Sequence, residues 1–329
     1  MVCGSMTLWE KVLNQFKNNH SVMYPSKILL FGEYTILLNS YALTIPFKRF
    51  VGELAFMDAD TDKESREPDR SNHRLKEFLT FSRQSCINQR LTFPLDFESF
   101  EKDIEKGLYF KSDIPEESGI GSSGALVAAI FDKYSNIRNC EMDILKIKNC
   151  LALLESYYHG YSSGIDPLVS YLKTPLLLEG NKIGITFKLP VEMLLQEFGL
   201  FLVYSQVSRK TGELVEKFNM RCKSDPEYIK KIHQEYIPVN NECIISLSES
   251  GNAERFFSAI RKLTNMQLEI FNEMIPENII QSFYYGLENN MFYLKLCGSG
   301  GGGYFLGFTV NISLTESFFN ERGYQILVY

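Results

Sequence analysis

The chain is poor in the residues that staple, coordinate or anchor a protein. Its seven cysteines, Cys3, Cys86, Cys140, Cys150, Cys222, Cys243 and Cys297, are odd in number, scattered, and never spaced as C-x-x-C. With only four histidines beside them, neither a disulfide framework nor a zinc site is expected, and the chain reads as a reduced, cytosolic protein. No apolar run approaches the roughly 18 residues of a membrane span. Met6–His20 carries too many charges for the apolar core of a signal peptide and reads instead as an amphipathic helix. An excess of positive charge is missing too, since 34 Lys and Arg stand against 40 Asp and Glu for a net charge of −6. A general nucleic-acid binder needs a basic face, so that class is set aside. An anionic ligand would have to be met by a few local cations and by backbone N–H groups. The Walker A string G-x-x-x-x-G-K-[ST] is absent, which excludes a P-loop enzyme.

What is there is ordinary globular material, 45% hydrophobic and 22% charged, enough for one large or two medium domains at about 150 residues each. Ile28-Leu29-Leu30-Phe31 before Gly32 reads as a buried strand leaving into a turn, and Tyr41–Met57 is β-rich. Asp58–Arg74 is nearly all polar and is expected to be an exposed loop, with a helix over Leu75–Gln89 and a strand over Leu108–Asp113. A turn-rich loop, Ile114–Ser123, feeds a helix that starts at Gly124. Met142–His159 is a second helix: apolar Ile144, Leu145, Ile147, Leu151 and Leu154 recur at three and four, and Gly160 is placed to end it. Leu176–Leu178 and Ile183–Phe187 read as a hairpin. Phe198–Tyr204 opens a new strand, so a boundary is expected near residue 190. Helices then dominate to residue 285, and strands Phe292–Cys297 and Tyr304–Val310 flank a glycine run. No internal repeat is visible, and the mixture is α+β.

The loop Pro115–Ser123 is the most informative local feature. N–H groups at a helix N-terminus lack intrahelical partners and carry about half a positive charge. Glycines let a phosphate approach such a backbone closely, and Ser122 and Ser123 add hydroxyls that can bond phosphate or ligate magnesium. A Ser-capped helix after an ordinary loop would be written the same way. The string G-x-G-x-x-G occurs at Gly119/Gly121/Gly124 and again at Gly298/Gly300/Gly303. The second copy runs into a strand, and the first lacks an acidic residue at a strand end about 20 positions on, so neither fits a dinucleotide fold. The run Gly298–Gly303 is either a flexible linker or, between two apolar strands, backbone packed against backbone or ligand. Glu155, near a helix end, and Asp166, before Pro167, are the carboxylates singled out. Each taken alone has a plain reading, a solvated helical Glu and an Asp-Pro turn. His159 reads as a helix-end residue.

Together these pieces resemble the GHMP kinase superfamily (galacto-, homoserine, mevalonate and phosphomevalonate kinases). Pro25–Tyr34 (PSKILLFGEY) resembles its N-terminal motif, Pro115–Ser123 its phosphate loop P-x-x-x-G-[LI]-G-S-S, and Lys295–Gly303 its C-terminal glycine motif. Within the superfamily, Glu155–Asp166, closing on H-G-x-x-S-G-x-D, and Arg209–Val215, R-x-T-x-x-L-V, are similar to the mevalonate kinase family. Three positions depart from the pattern. Gly32-Glu33-Tyr34 stands where mevalonate kinases have G-E-H, and G-E-Y is more typical of phosphomevalonate kinases; Ser118 and Gly124 each replace a usual small residue.

The resemblance implies a two-domain α+β fold: a ribosomal S5 domain 2-like N-terminal domain over residues 1–190 and a ferredoxin-like C-terminal domain over 191–329. It implies ATP-dependent phosphorylation of a small alcohol, in first place mevalonate at its primary hydroxyl. Phosphomevalonate kinase and a non-catalytic nucleotide-binding relative are the alternatives. In the family's roles, Lys27 and Asp166 are catalytic. Pro115, Ser118, Gly119, Gly121, Ser122 and Ser123 hold the ATP phosphates, and Ser123 with Glu155 binds Mg²⁺. Glu33, Tyr34, Arg209 and Thr211 line the acceptor site, with Arg209 set to grip a carboxylate through two hydrogen bonds. The expected partner is a small-molecule substrate in the cytoplasm, with no nucleic acid and no membrane; a homodimer stays open.

Overall fold

The computed structural model describes residues 23–57, 67–89, 94–116, 118–137, 143–180, 182–185, 198–207, 211–248 and 253–329. The expected helix Met6–His20, the boundary near residue 190, and Arg209 lie outside those residues.

The first sheet is built around one long strand. β1 (Tyr24–Phe31) pairs antiparallel with the first part of β2 (Tyr41–Phe56), and β4 (Leu176–Glu179) and β5 (Lys182–Ile185) extend the sheet from β2's other edge. The far end of β2 pairs with β3 (Leu108–Ser112). Helices α1 (Glu67–Gln89), α2 (Phe97–Glu105), α3 (Ser122–Tyr134), α4 (Ile144–His159) and α5 (Ile165–Leu172) accompany this sheet. α3 is apolar almost all round, with Ala125, Val127, Ala128, Ala129, Ile130 and Phe131 buried, so it sits as a central helix between the sheet and its neighbours.

The second sheet runs β7 (Phe292–Leu296), β8 (Tyr304–Thr309), β6 (Gly199–Tyr204), β9 (Ile326–Val328), all antiparallel. The second half of the chain supplies α6 (Thr211–Ser224), α7 (Pro226–Lys231), a π turn over Ile232–Tyr236, α8 (Ile237–Ser248), α9 (Ala253–Ile270), α10 (Glu277–Asn289) and α11 (Ile312–Asn320). Among the described residues no helix is long and apolar enough to cross a membrane. Aromatic rings join the two halves. Phe31 at the end of β1 stacks on Phe308 of β8 at 5.9 Å and meets Phe256 of α9 edge-on, while Phe47 of β2 stacks on Tyr329. Buried aromatic rings carry about 150–250 Å² each, so this spine, with Tyr329 half-buried at its edge, is a substantial shared core.

One expectation is corrected. The polar segment 58–74 is not a loop throughout, because α1 begins at Glu67. Its first turns are anchored by polar side chains rather than by an apolar stripe. Asn72 is buried and donates to the carbonyls of Ile104 and Leu108, and the Ser71 hydroxyl accepts from the Phe110 N–H of β3. Pro68 near the helix start fits the same reading, since its missing N–H is one the first turn leaves unbonded. A smaller correction concerns α3, which starts at Ser122, so that both serines belong to its first turn.

Candidate active site

The site is assembled where the middle of β1 meets the ends of α3, α4 and α5. Lys27 lies on β1, and its backbone N–H donates to the Ile120 carbonyl at 2.8 Å, which lays Ser118–Gly121 alongside the strand. Fully buried Ile120 and the Ser118 hydroxyl, which donates to the Pro115 carbonyl at 2.6 Å, hold the loop's shape. At Gly121 (φ +87°) a Cβ would stand 2.9 Å from Lys27 Cγ, so a glycine is what lets the lysine stem pass beneath the loop. α3 starts at the next residue. Its first-turn N–H groups, with the hydroxyls of Ser122 and Ser123, make an electropositive helix end suited to an anion.

Lys27 reaches across to α5, where its Nζ lies 2.9 Å from Asp166 Oδ2. The lysine is nearly buried while the aspartate is partly open, at 10% and 38% side-chain exposure, so the pair presents its carboxylate outward. Asp166 sits in the first turn of α5, where negative charge is favoured. Its distance from α3 depends on Gly124: a Cβ there would lie 2.9 Å from the Asp166 carbonyl carbon and 3.0 Å from Pro167 N. The glycine at that position therefore has a local cause, the close seating of α5 on α3.

Glu155 projects from the last turns of α4 and is 4% exposed. Ser123 Oγ donates to its Oε1 at 3.2 Å, and Ser162 Oγ donates to its Oε2. Burial, with the negative charge of Asp166 next, pushes the Glu155 carboxyl up to about 7, against the opposing hydrogen bonds of Ser162 and Ser123 and the charge of Lys27. The charge of Lys27 does not fully compensate this buried carboxylate, and a bound cation would supply the rest. The donor set is all oxygen, which suits a hard divalent ion. Among the described residues no group of three or more His, Cys, Asp and Glu could hold a metal alone. An ion here would therefore take part of its shell from phosphate oxygens and water, the usual habit of Mg²⁺.

Two members of this cluster were not anticipated. His159, expected to be no more than a helix-end residue, places Nε2 3.0 Å from Ser123 Oγ. The signal was available: Glu155 and His159 are separated by one helical turn and share a face of α4. Ser162 gave no sign, because a serine in a turn is the commonest kind of serine.

The expected acceptor residues are placed differently from one another. Glu33 is fully enclosed in an ion pair with Lys295 of β7, both side chains at 0% exposure, and burial pushes its carboxyl up even against that lysine. Tyr34 is also buried; its hydroxyl donates to the Ser299 carbonyl, and its ring packs between Phe218 and Phe271 at 4.8 and 5.1 Å. Neither presents its polar end to solvent. Thr211 is the first residue of α6, whose Leu214 lies against the glycine run. That run is an ordered turn and not a linker: Gly301 N donates to the Met274 carbonyl at 2.7 Å and Gly303 N to the Val207 carbonyl at 2.9 Å.

Residues 89–174 match the family described as GHMP kinases N terminal domain. Over 289 residues the chain is 26% identical to a mevalonate kinase of Archaeoglobus fulgidus, covering 86% of this chain and 90% of that one. A mevalonate kinase of Methanococcus jannaschii superposes with a TM-score of 0.61 at 18% identity, over 95% of this chain and 98% of that one. A Streptococcus pneumoniae phosphomevalonate kinase, solved with phosphomevalonate and AMPPNP, superposes with a TM-score of 0.57 at 16% identity, over 94% of this chain and 100% of that one.

Proposed function

We propose that this GHMP-type, ATP-dependent small-molecule kinase transfers the γ-phosphoryl group of ATP to the primary hydroxyl of mevalonate. The observation that carries the chemistry is the pairing of Lys27 with Asp166 beside a second pairing, Ser123 with Glu155, at the N-terminus of α3. Phosphoryl transfer needs little covalent help from a protein; it is mostly positioning and charge stabilisation. In this reading the backbone from Pro115 through Gly119 and Gly121 to Ser122 holds the phosphates, with Ser118 bracing the loop. Ser123 and Glu155 would hold Mg²⁺, which neutralises phosphate charge when bound. Asp166 accepts or orients the acceptor's hydroxyl proton. Lys27 fixes the aspartate through Oδ2, leaving Oδ1 to face the hydroxyl, and offsets the charge that develops on the transferred group.

The acceptor rests on different support: the similarity of the H-G-x-x-S-G-x-D and R-x-T-x-x-L-V strings and the relatives named mevalonate kinase. Arg209 is proposed to grip the mevalonate carboxylate, with Thr211 beside it on α6. Glu33 and Tyr34 act on the acceptor site from the interior, through the glycine run and α6 that they touch. One feature favours a second reading, phosphomevalonate as acceptor: the tyrosine in Gly32-Glu33-Tyr34. Measuring kcat/KM for both acceptors decides between them, and a preference for phosphomevalonate would overturn the first. Under the mevalonate reading, Arg209→Ala raises KM for mevalonate by at least about tenfold, as loss of a charged hydrogen-bonded partner does, and leaves KM for ATP near its starting value.

A further inference from the structure

We propose that Ser162 is a positioning residue for the cation: its hydroxyl fixes the rotation of the Glu155 carboxylate so that Oε1 stands at Ser123. The inference rests on Ser123 and Glu155 being the protein ligands of that cation.

The argument follows the protons. A serine hydroxyl has one proton to give and two lone pairs to receive. The Ser162 oxygen accepts the Gly164 N–H at 2.9 Å, which orients the hydroxyl, and its single proton goes to Glu155 Oε2. Ser123 is in a different position. Its one proton goes to Glu155 Oε1 at 3.2 Å, and its oxygen also lies 3.0 Å from His159 Nε2, which accepts or donates according to the imidazole tautomer. An ion shared by Ser123 Oγ and Glu155 Oε1 would draw on lone pairs of both oxygens, so the Ser123 proton would turn away from Glu155, and His159 Nε2, 3.0 Å away, receives it in the tautomer that carries its proton on Nδ1. Of the two hydroxyls on Glu155, the one from Ser162 alone survives that change. With Glu155 4% exposed, solvent offers no replacement. The carboxylate's second oxygen is then held by the short turn between α4 and α5, the same turn that delivers Asp166. One loop thus sets both the ion's carboxylate and the carboxylate that faces the acceptor.

The test measures Mn²⁺ binding by electron paramagnetic resonance, using the full chain with a non-hydrolysable ATP analogue. Ser162→Ala is expected to weaken Mn²⁺ affinity by about 10–100-fold, the usual cost of losing a partner of a metal ligand. The affinity for the metal-free analogue should stay within about twofold of wild type, because among the described residues the Ser162 hydroxyl bonds Glu155 and Gly164 and not the phosphate loop. Equal losses of metal and metal-free nucleotide binding would show general damage and overturn the proposal. Glu155→Gln is measured alongside. If it leaves Mn²⁺ affinity unchanged, the assignment of the ligands fails; if it weakens Mn²⁺ binding and Ser162→Ala does not, the role of Ser162 alone fails. Should Ser162→Ala not fold, Ser162→Cys keeps the volume, replaces the hydroxyl by a weak donor, and must show the same selective loss of metal affinity.

Discussion

Lys295→Met is the most demanding test of how this molecule is held together. The substitution keeps a long unbranched stem but removes the ammonium that faces Glu33 in a fully enclosed pair. Breaking one side of a buried ion pair costs about 3–5 kcal/mol, because the surviving charge is left uncompensated. Glu33 has one escape, which is to take up a proton. From its ordinary value of 4.5, doing so at pH 7 costs about 3 kcal/mol at 1.36 kcal/mol per unit, and at pH 5 less than about 1 kcal/mol. Sign and window follow from that. Burial already raises the folded-state pKa of Glu33, and losing Lys295 raises it further. A raised carboxyl contributes stability that is present below its unfolded value and lost as pH climbs. The variant should therefore trail wild type by up to about 3 kcal/mol at pH 7, less the share that wild-type Glu33 already carries, and by less than about 1 kcal/mol at pH 5, in urea titrations of both proteins at both pH values. Adding Glu33→Gln should remove the pH dependence of the difference. A deficit of the same size at both pH values, or one below about 1 kcal/mol at pH 7, would refute the reasoning.

Three further outcomes are expected. Asp166→Asn should retain binding of an ATP analogue and lose about 10²–10⁴-fold in kcat; near-normal turnover would remove it from the reaction. Glu155→Gln should flatten the pH dependence of stability in the metal-free chain. Glu155 is raised to about 7, so its contribution is full below its ordinary value of 4.5 and lost as pH rises through 7; the variant should be the more stable of the two at pH 8 in thermal melts. Gly124→Ala should push α5 off α3 by the Asp166 backbone and lower kcat by about tenfold, with analogue binding unchanged, since small misplacements of reacting groups are costly. Steady-state kinetics of that variant at normal kcat would show that the contact relaxes freely.

What could be read from the chain in advance was whatever apolar patterning reports. The strand before Gly32, the three-and-four spacing of α4 and the two strands around the glycine run all bury apolar faces where their patterns lie, except that Leu145 of α4 faces solvent. Polar burial was not legible. Asn72 looks like loop composition until Ile104 and Leu108 offer it carbonyls. Glu33 and Lys295 look like solvated charges, and 262 positions of chain separate them, so no local window connects the two. The short helices α2 and α11 begin at side-chain caps, Asp96 and Asn311, that are brief signals beside long hydrophobic ones. At the site, matched motifs named Lys27, Ser123, Glu155 and Asp166; His159 could have been found from its place one helical turn after Glu155, while Ser162 comes into view only with the turn between α4 and α5.

Glu33 and Tyr34 are consecutive, yet each holds a separate point of the segment around the glycine run, one at Lys295 and the other at the Ser299 carbonyl. Tyr34 does so with φ at +63°, a backbone that tyrosine rarely adopts and that costs of order 1–3 kcal/mol to keep. A single fastening would act as a pivot, but two adjacent ones resist shear and twist together. With Phe31 stacked on Phe308 beside them, they bind the end of β1 to the region of β7 and the glycine run at more than one point.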